Sequence, residues 1–229
     1  MGIWFWFLLA IIGFAFITIV RKRHDYAMLF TIAIGYAINA NIFNAFSAPM
    51  YCGSLVFSID SILYTAFMYC VVVCAYEYGT RKAKILTSST IAAIVLSAVI
   101  EFLSKISSTG YIPDYFLNMC SYIFSAIGTF AGVWLILFIF EKLRKKRFNL
   151  YLNIFVCILI SSIVNSTIFY TFTIITTKNL EITNILLGSY IGKIICICLC
   201  LLSFFISTHY FIPNDLKEKY KKPEKENNN

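Results

Sequence analysis

The chain predicts an all-α, polytopic membrane helix bundle of about seven transmembrane helices, with the N-terminus outside and the C-terminus inside. Three observations carry this expectation. Of 229 residues, 60% are hydrophobic and only 13% are charged, too few charges to clothe a soluble domain of this size. Apolar runs of about 20 residues recur along the chain, the length needed to cross a bilayer core. The lysines and arginines gather in alternate connecting segments rather than in all of them.

The first apolar run covers 3–20 and is followed by Arg21-Lys22-Arg23. It lacks the basic start and small-residue cleavage site of a secretory leader, so it reads as a span, either part of the core or an extra helix on a six-span core. The second span covers about 26–46 and carries Asn39, Asn41 and Asn44. A short loop with turn residues, 47–53, leads to the third span, about 55–76. A basic turn at Tyr78–Lys84 joins it to the fourth, about 85–103. The fifth covers about 115–140 and ends in the basic run 141–147. The sixth covers about 150–175, and the seventh about 185–207. Residues 1–208 therefore form the bundle, and 209–229, rich in Lys, Glu and Asn, form a charged inner tail with little to bury.

Charge placement sets the orientation. The four segments expected inside hold three, three, five and five basic residues. The outer loops hold Lys105 and Lys178, and Lys193 lies within a span. Such asymmetry across short loops places the basic segments on the cytoplasmic side. It also accounts for the net charge of +8 without invoking nucleic acid, for which no stacked-aromatic module is present. Two pairs, spans three–four and five–six, each end their first helix in an acid (Glu77, Glu141) and return through paired serines. A parallel internal repeat and the common features of membrane hairpins both account for this.

Eight cysteines lie mostly inside apolar runs. No CxxC or Cys/His ligand spacing occurs, and Cys196, Cys198 and Cys200 alternate around a helix rather than sharing a face, so no metal or other cofactor is expected. Neither H-E-x-x-H nor G-x-S-x-G is present, and no nucleophile–base pair is visible, so the chain is not expected to be an enzyme. Two helices carry G-x-x-x-G, Gly128/Gly132 and Gly188/Gly192, read as helix-packing faces.

The polar residues inside the spans lie mainly in the outer half. Asp60 stands about five residues into span three, with Tyr64 one turn on. Lys193 stands about eight residues into span seven. Asn41 and Asn44 share a face near the outer end of span two. Tyr122 belongs to a polar stripe with Asn118, Ser121 and Ser125, and Asn165 to a stripe with Ser162, Ser166 and Phe169. An ionisable side chain at membrane depth costs about 2.5–3.5 kcal/mol, so such groups face cavities and have partners. The candidate substrate-binding residues are therefore Asp60, Tyr64, Asn41, Asn44, Tyr122, Asn165 and Lys193. Asp60 and Lys193 form a candidate ion pair, and Phe57 and Tyr190 are further candidates for stacking on a ligand. Snorkelling of Lys193 and purely structural interhelical hydrogen bonds by the serines and asparagines remain open alternatives.

The Asn-bearing second span, the E-Y-G-x-x-x-A turn at Glu77, Tyr78, Gly79 and Ala83, the E-K-L-R-K-K turn at 141–146 and the I-S-S-I-V-N stretch at 160–165 resemble the putative vitamin uptake transporter family, also called the queuosine precursor transporter family. The resemblance covers about residues 36–175. The family's usual acid before the tyrosine-glycine turn is replaced here by Val73, and its later Gln/Asp pair is missing, with Asn165 near the aspartate's place. The resemblance implies uptake of a small polar or heterocyclic solute, such as a deazapurine base or a vitamin, across a bacterial plasma membrane. Two other readings stay open. One is the substrate-binding subunit of an energy-coupling-factor importer, with an ATPase module as partner and Ala33/Ala37 as a docking face. The other is a non-transport assembly or sensor protein. The partners expected are the bilayer and a small-molecule solute, with a homo-oligomer left open. With Lys178→Cys and Arg81→Cys placed singly in a cysteine-free background, an impermeant thiol reagent added outside intact cells is expected to label the first and spare the second until the membrane is opened; the reverse pattern would invert the topology.

Overall fold

The computed structural model describes residues 3–23, 25–46, 50–52, 55–57, 59–109, 113–146, 149–177 and 182–211. Seven helices dominate it: α1 (Ile3–Lys22), α2 (Tyr26–Phe46), α3 (Ile59–Glu77), α4 (Thr80–Thr109), α5 (Pro113–Lys145), α6 (Leu150–Thr177) and α7 (Ile182–Ile206), the last continued by a π-helical turn, Ser207–Phe211. All but α2 are long and apolar enough to cross a membrane; the apolar stretch of α2 within the described residues, Tyr26–Ala40, is shorter. The chain is a multi-pass membrane protein of all-α class.

Local chemistry explains the helix ends. Asp25 caps α2, its Oδ1 accepting from the backbone N–H of Ala27 (2.8 Å) and Met28 (3.2 Å). Asn149 does the same for α6 through Tyr151 (3.0 Å) and Leu152 (3.4 Å). Between α3 and α4 only Tyr78 and Gly79 are non-helical. Gly79 has φ +87°, a conformation glycine alone adopts without strain, and its carbonyl already accepts from Ala83. The basic residues Arg81, Lys82 and Lys84, expected in a loop, therefore lie on the first turns of α4.

Two further boundaries differ from expectation. Residues 55–57 do not begin the third span. Leu55–Phe57 (β2) pairs antiparallel with Met50–Cys52 (β1), Tyr51 opposite Val56. An unbroken apolar run does not by itself separate strand from helix, and Val56 and Phe57 suit a strand. At the other end of the hairpin α3–α4, helix α4 continues to Thr109, so Lys105 is helical rather than in a loop.

Helix α3 is the centre of the bundle. Within its most apolar 18-residue stretch 78% of residues are buried, against 29–44% in the corresponding stretches of the other five spans, and it packs against each of the other six helices. From Ala66 to Ala75 its sequence is largely apolar on every side, as expected for a helix enclosed all round. Its neighbours present their own apolar faces outward: Ile85, Leu96, Ile100 and Leu103 of α4 and Phe138 of α5 are exposed, as lipid-facing side chains should be.

Helices run alternately up and down. The end of α1 meets the ends of α3 and α7 at Arg21, Glu77 and Phe204. The start of α2 meets the start of α4 where Tyr26 donates to the Lys82 carbonyl (3.3 Å). The start of α6 meets the end of α5 at Asn153 and Phe140. All the ends expected to be cytoplasmic thus lie together.

A buried polar cluster ties that end. Arg21, read from the sequence as one of the basic residues that orient the first span, is 2% exposed. Its Nε donates to Glu77 Oε1 and its Nη1 to Ser207 Oγ and the Phe204 carbonyl (3.2 Å). Its guanidinium lies 4.0 Å from the centre of the Phe204 ring. One turn deeper, Thr18 and Ser203 share a hydrogen bond of 2.5 Å, and Ser203 donates to the Phe14 carbonyl (3.3 Å). Removing one member of such a buried ion pair strands the other, at a cost of about 3–5 kcal/mol. Arg21→Met and Glu77→Leu are each expected to lower the melting temperature of the purified protein strongly, and the double variant by less than either alone; additive losses would show that the two side chains do not act as a pair.

Candidate functional site

At the opposite end of α3 the backbone rule of the bundle changes. Asp60 sits in the first turn of its helix, not five residues in as expected, because the strands take up the preceding residues. Lys193 lies eleven residues into α7, about 16 Å along it at about 1.5 Å per residue. Both nevertheless line one cavity. Helix α3 therefore starts at the level of the middle of α7. It has only 19 residues, whereas α4 and α5 have 30 and 33. The strand pair accompanies this recessed start, with β1 packed on α1 and β2 on α7. Its Phe57 ring lies 5.6 Å from Trp6, and each ring has an atom 3.3 Å from where a Cβ on Gly192 would stand. Gly192 thus admits aromatic rings from two other elements, rather than the neighbouring helix backbone expected of its G-x-x-x-G.

The cavity is lined by Asp60 and Tyr64 of α3, Asn165, Ser166, Phe169 and Tyr170 of α6, Ser189 and Lys193 of α7, Ala40 of α2 and Ser125 of α5. Four of the candidate residues, Asp60, Tyr64, Asn165 and Lys193, are therefore brought together. The side chains of the other three, Asn41, Asn44 and Tyr122, lie outside the described residues. Neither Phe57 nor Tyr190 lines the cavity. Phe57 packs on Trp6, and the Tyr190 hydroxyl is 3.1 Å from Thr167 Oγ1. Ser189 and Tyr170 were not among the candidates. Nothing in their spacing separates them from the many other serines and tyrosines; the turn of α6 and α7 against α3 selects them.

Lys193 is 4% exposed. Its ammonium donates to Ser166 Oγ at 2.5 Å and lies 5.2 Å from the centre of the Tyr64 ring, a cation–π distance. Snorkelling to the interface is thereby excluded for this side chain. Asp60 does not complete an ion pair with it: among the described residues the one direct contact between a cationic and an anionic side chain is Arg21–Glu77. Asp60 Oδ1 and Asn165 Oδ1 are buried without a hydrogen-bond partner. The position of Asp60 offsets part of its burial cost, since the free N–H groups and dipole of a helix start favour a carboxylate. The cavity holds about 30 Å³, room for about one or two water molecules.

Close packing of α5 on α6 fixes one wall. A Cβ on Gly128 would stand 2.6 Å from Asn165 Oδ1 and 3.3 Å from its carbonyl; one on Gly132 would stand 2.7 Å from Ser161 Oγ and 3.2 Å from its carbonyl. Here G-x-x-x-G does what the sequence pattern predicts, letting helix backbones approach. Among the described residues no group of three His, Cys, Asp or Glu side chains could hold a metal ion. Cys196 and Cys200 are buried and Cys198 is exposed, in accord with their alternation around the helix.

Against family models, curated proteins and solved structures, no match to this chain is found. The site is therefore read from its own chemistry. Gly128→Val is expected to push Asn165 and α6 away from α5, at a cost of about 1–3 kcal/mol, read as a lower melting temperature, whereas Ala131→Val, a half-buried position on the same helix, should change it little. Equal effects would show that α5 and α6 are not held in close contact at Gly128.

Proposed function

We propose that the chain is a membrane transporter for uptake of a small polar or heterocyclic solute. The observation that carries this reading is the meeting of Asp60, Tyr64, Asn165 and Lys193 on one cavity inside a bundle of apolar helices. Polar and ionisable groups are expensive there and are retained where they serve a pathway or ligand. A helix that starts part-way through the bundle beside the cavity is also a recurrent way of building a midplane solute site. The resemblance of residues 36–175 to the queuosine precursor transporters makes a deazapurine base or a vitamin the first class to try, and a bacterial plasma membrane the expected location.

In this reading Asp60 accepts hydrogen bonds or a positive charge from the solute, Asn165 offers an amide, and the rings of Tyr64, Phe169 and Tyr170 provide apolar walls. A cavity of about 30 Å³ is too small for a purine-sized ring, so the present arrangement corresponds to a closed state. The basic end is closed as well, by Arg21, Glu77 and Ser207. Release inward requires that these contacts part, which makes the two polar clusters the two ends of an alternating-access cycle. The importer-subunit reading loses its docking face: Ala33 and Ala37 are 0% and 1% exposed within the chain itself, so an ATPase-associated partner would have to dock elsewhere.

The test is uptake of labelled deazapurine bases and common vitamins into cells with and without the protein. Expression is expected to raise uptake of at least one of them. Asp60→Asn should then reduce that uptake about tenfold, the loss of about one hydrogen bond to a charged group. Unchanged uptake in Asp60→Asn would remove Asp60 from the site, and no uptake of any compound would remove the transport reading.

A further inference from the structure

Two opposite charges face one small cavity and do not touch. Lys193 and Asp60 both line it, yet no ion pair forms between them, while elsewhere in the same molecule Arg21 and Glu77 have closed into direct contact. The ammonium of Lys193 has three donors. It meets two neutral groups, Ser166 Oγ and the face of the Tyr64 ring. Asp60 leaves Oδ1 buried and unpartnered. At low local dielectric an unpaired charge is costly and an attraction between opposite charges is strong. Two such groups held apart across a polar gap define a site for something that neutralises both.

Resting on the transport reading above, we propose that the solute is a small zwitterion, its anionic group taken by Lys193 and Ser166 and its cationic group by Asp60. The chemistry of the alternatives argues for it. A solute bearing only an amine meets Asp60 but is repelled by Lys193. One bearing only an acid meets Lys193 but is repelled by Asp60. A neutral ring leaves both charges uncompensated. A compound with an ammonium and a carboxylate a few bonds apart satisfies both helices at once. It also draws α3 and α7 together, because Asp60 stands on one and Lys193 on the other. The Ser189 hydroxyl and the Asn165 amide oxygen, which is buried without a partner, complete a lining suited to the polar end of such a molecule. Tyr64, Phe169 and Tyr170 stand beside it as walls for a side chain.

The full-length protein in lipid nanodiscs tests this by calorimetry and thermal shift with matched probes: alanine, ethylamine and propanoate; phenylalanine, phenethylamine and 3-phenylpropanoate; and 7-deazaguanine as a neutral planar base. At least one zwitterion is expected to bind about tenfold or more tightly than its amine-only and acid-only analogues, each of which lacks one charged contact. Lys193→Met should bring the zwitterion down to the level of the amine, and Asp60→Asn down to the level of the acid. Melting temperatures of the ligand-free variants report whether they fold, and the comparison of probes on the unaltered protein stands without them. Equal binding of a zwitterion and either analogue overturns the proposal. Binding of 7-deazaguanine without any zwitterion overturns it and leaves the transport reading intact. Absence of binding by every probe overturns the zwitterion proposal, and the uptake test above then decides the transport reading.

Discussion

Helix α3 must be covered on every side, and most of the structure follows from that. Residues Ser61, Ile62 and Tyr64–Ala75 are all buried, so each of the other six helices finds its place by packing on it. In a membrane there is no water to drive helices together, and association depends on close van der Waals contact and on interhelical hydrogen bonds. The centre accordingly carries mostly small or slender side chains, Ala66, Cys70, Val71–Val73, Cys74 and Ala75. Polar links form near its two ends, at Glu77 and around Asp60. The same logic seats α6 on α5, where Gly128 and Gly132 leave room for Asn165 and Ser161.

The two ends of α3 are built in opposite ways. At the inner end Glu77 has met its cation, and α1, α3 and α7 are pinned by one guanidinium that also reaches the Phe204 carbonyl and Ser207. At the outer end Asp60 shares a cavity with a cation it does not touch. Satisfied buried charges hold helices in a fixed arrangement; unsatisfied ones are a cost that a bound solute can remove. The contrast is between an ion pair that has closed at one end and two opposite charges held apart at the other. Both ends belong to one helix, and α3 packs on every other helix.

Several features were legible because they depend on local pattern. Apolar run length marks the helices, basic residues mark the ends that lie together, and the i, i+4 spacing of Asp60 and Tyr64 puts both on the face that meets the cavity. Other features were not legible, and for identifiable reasons. Arg21 belongs to a run of three basic residues, and nothing in Arg21-Lys22-Arg23 says that the first turns inward; the position of Glu77, 56 residues on, decides it. The strand pair, 50–52 with 55–57, was hidden because Leu55, Val56 and Phe57 are apolar and stand only one residue, Ser58, before α3. That single boundary moved Asp60 from well inside a helix to its first turn, where the helix dipole favours its charge.

By itself the sequence determined the class of the protein, its alternating topology, the residues that must avoid lipid and the face of α5 that packs most closely. These follow from the transfer cost of side chains and from helical periodicity, which act within a single span. The tertiary structure alone decided which polar residues meet. Asp60 and Lys193 lie 133 positions apart, and the recessed start of α3 brings the first turn of one helix level with the middle of another. Depth counted along each helix separately could not reveal that offset, because it is set by how long neighbouring helices are and by what packs above the short one.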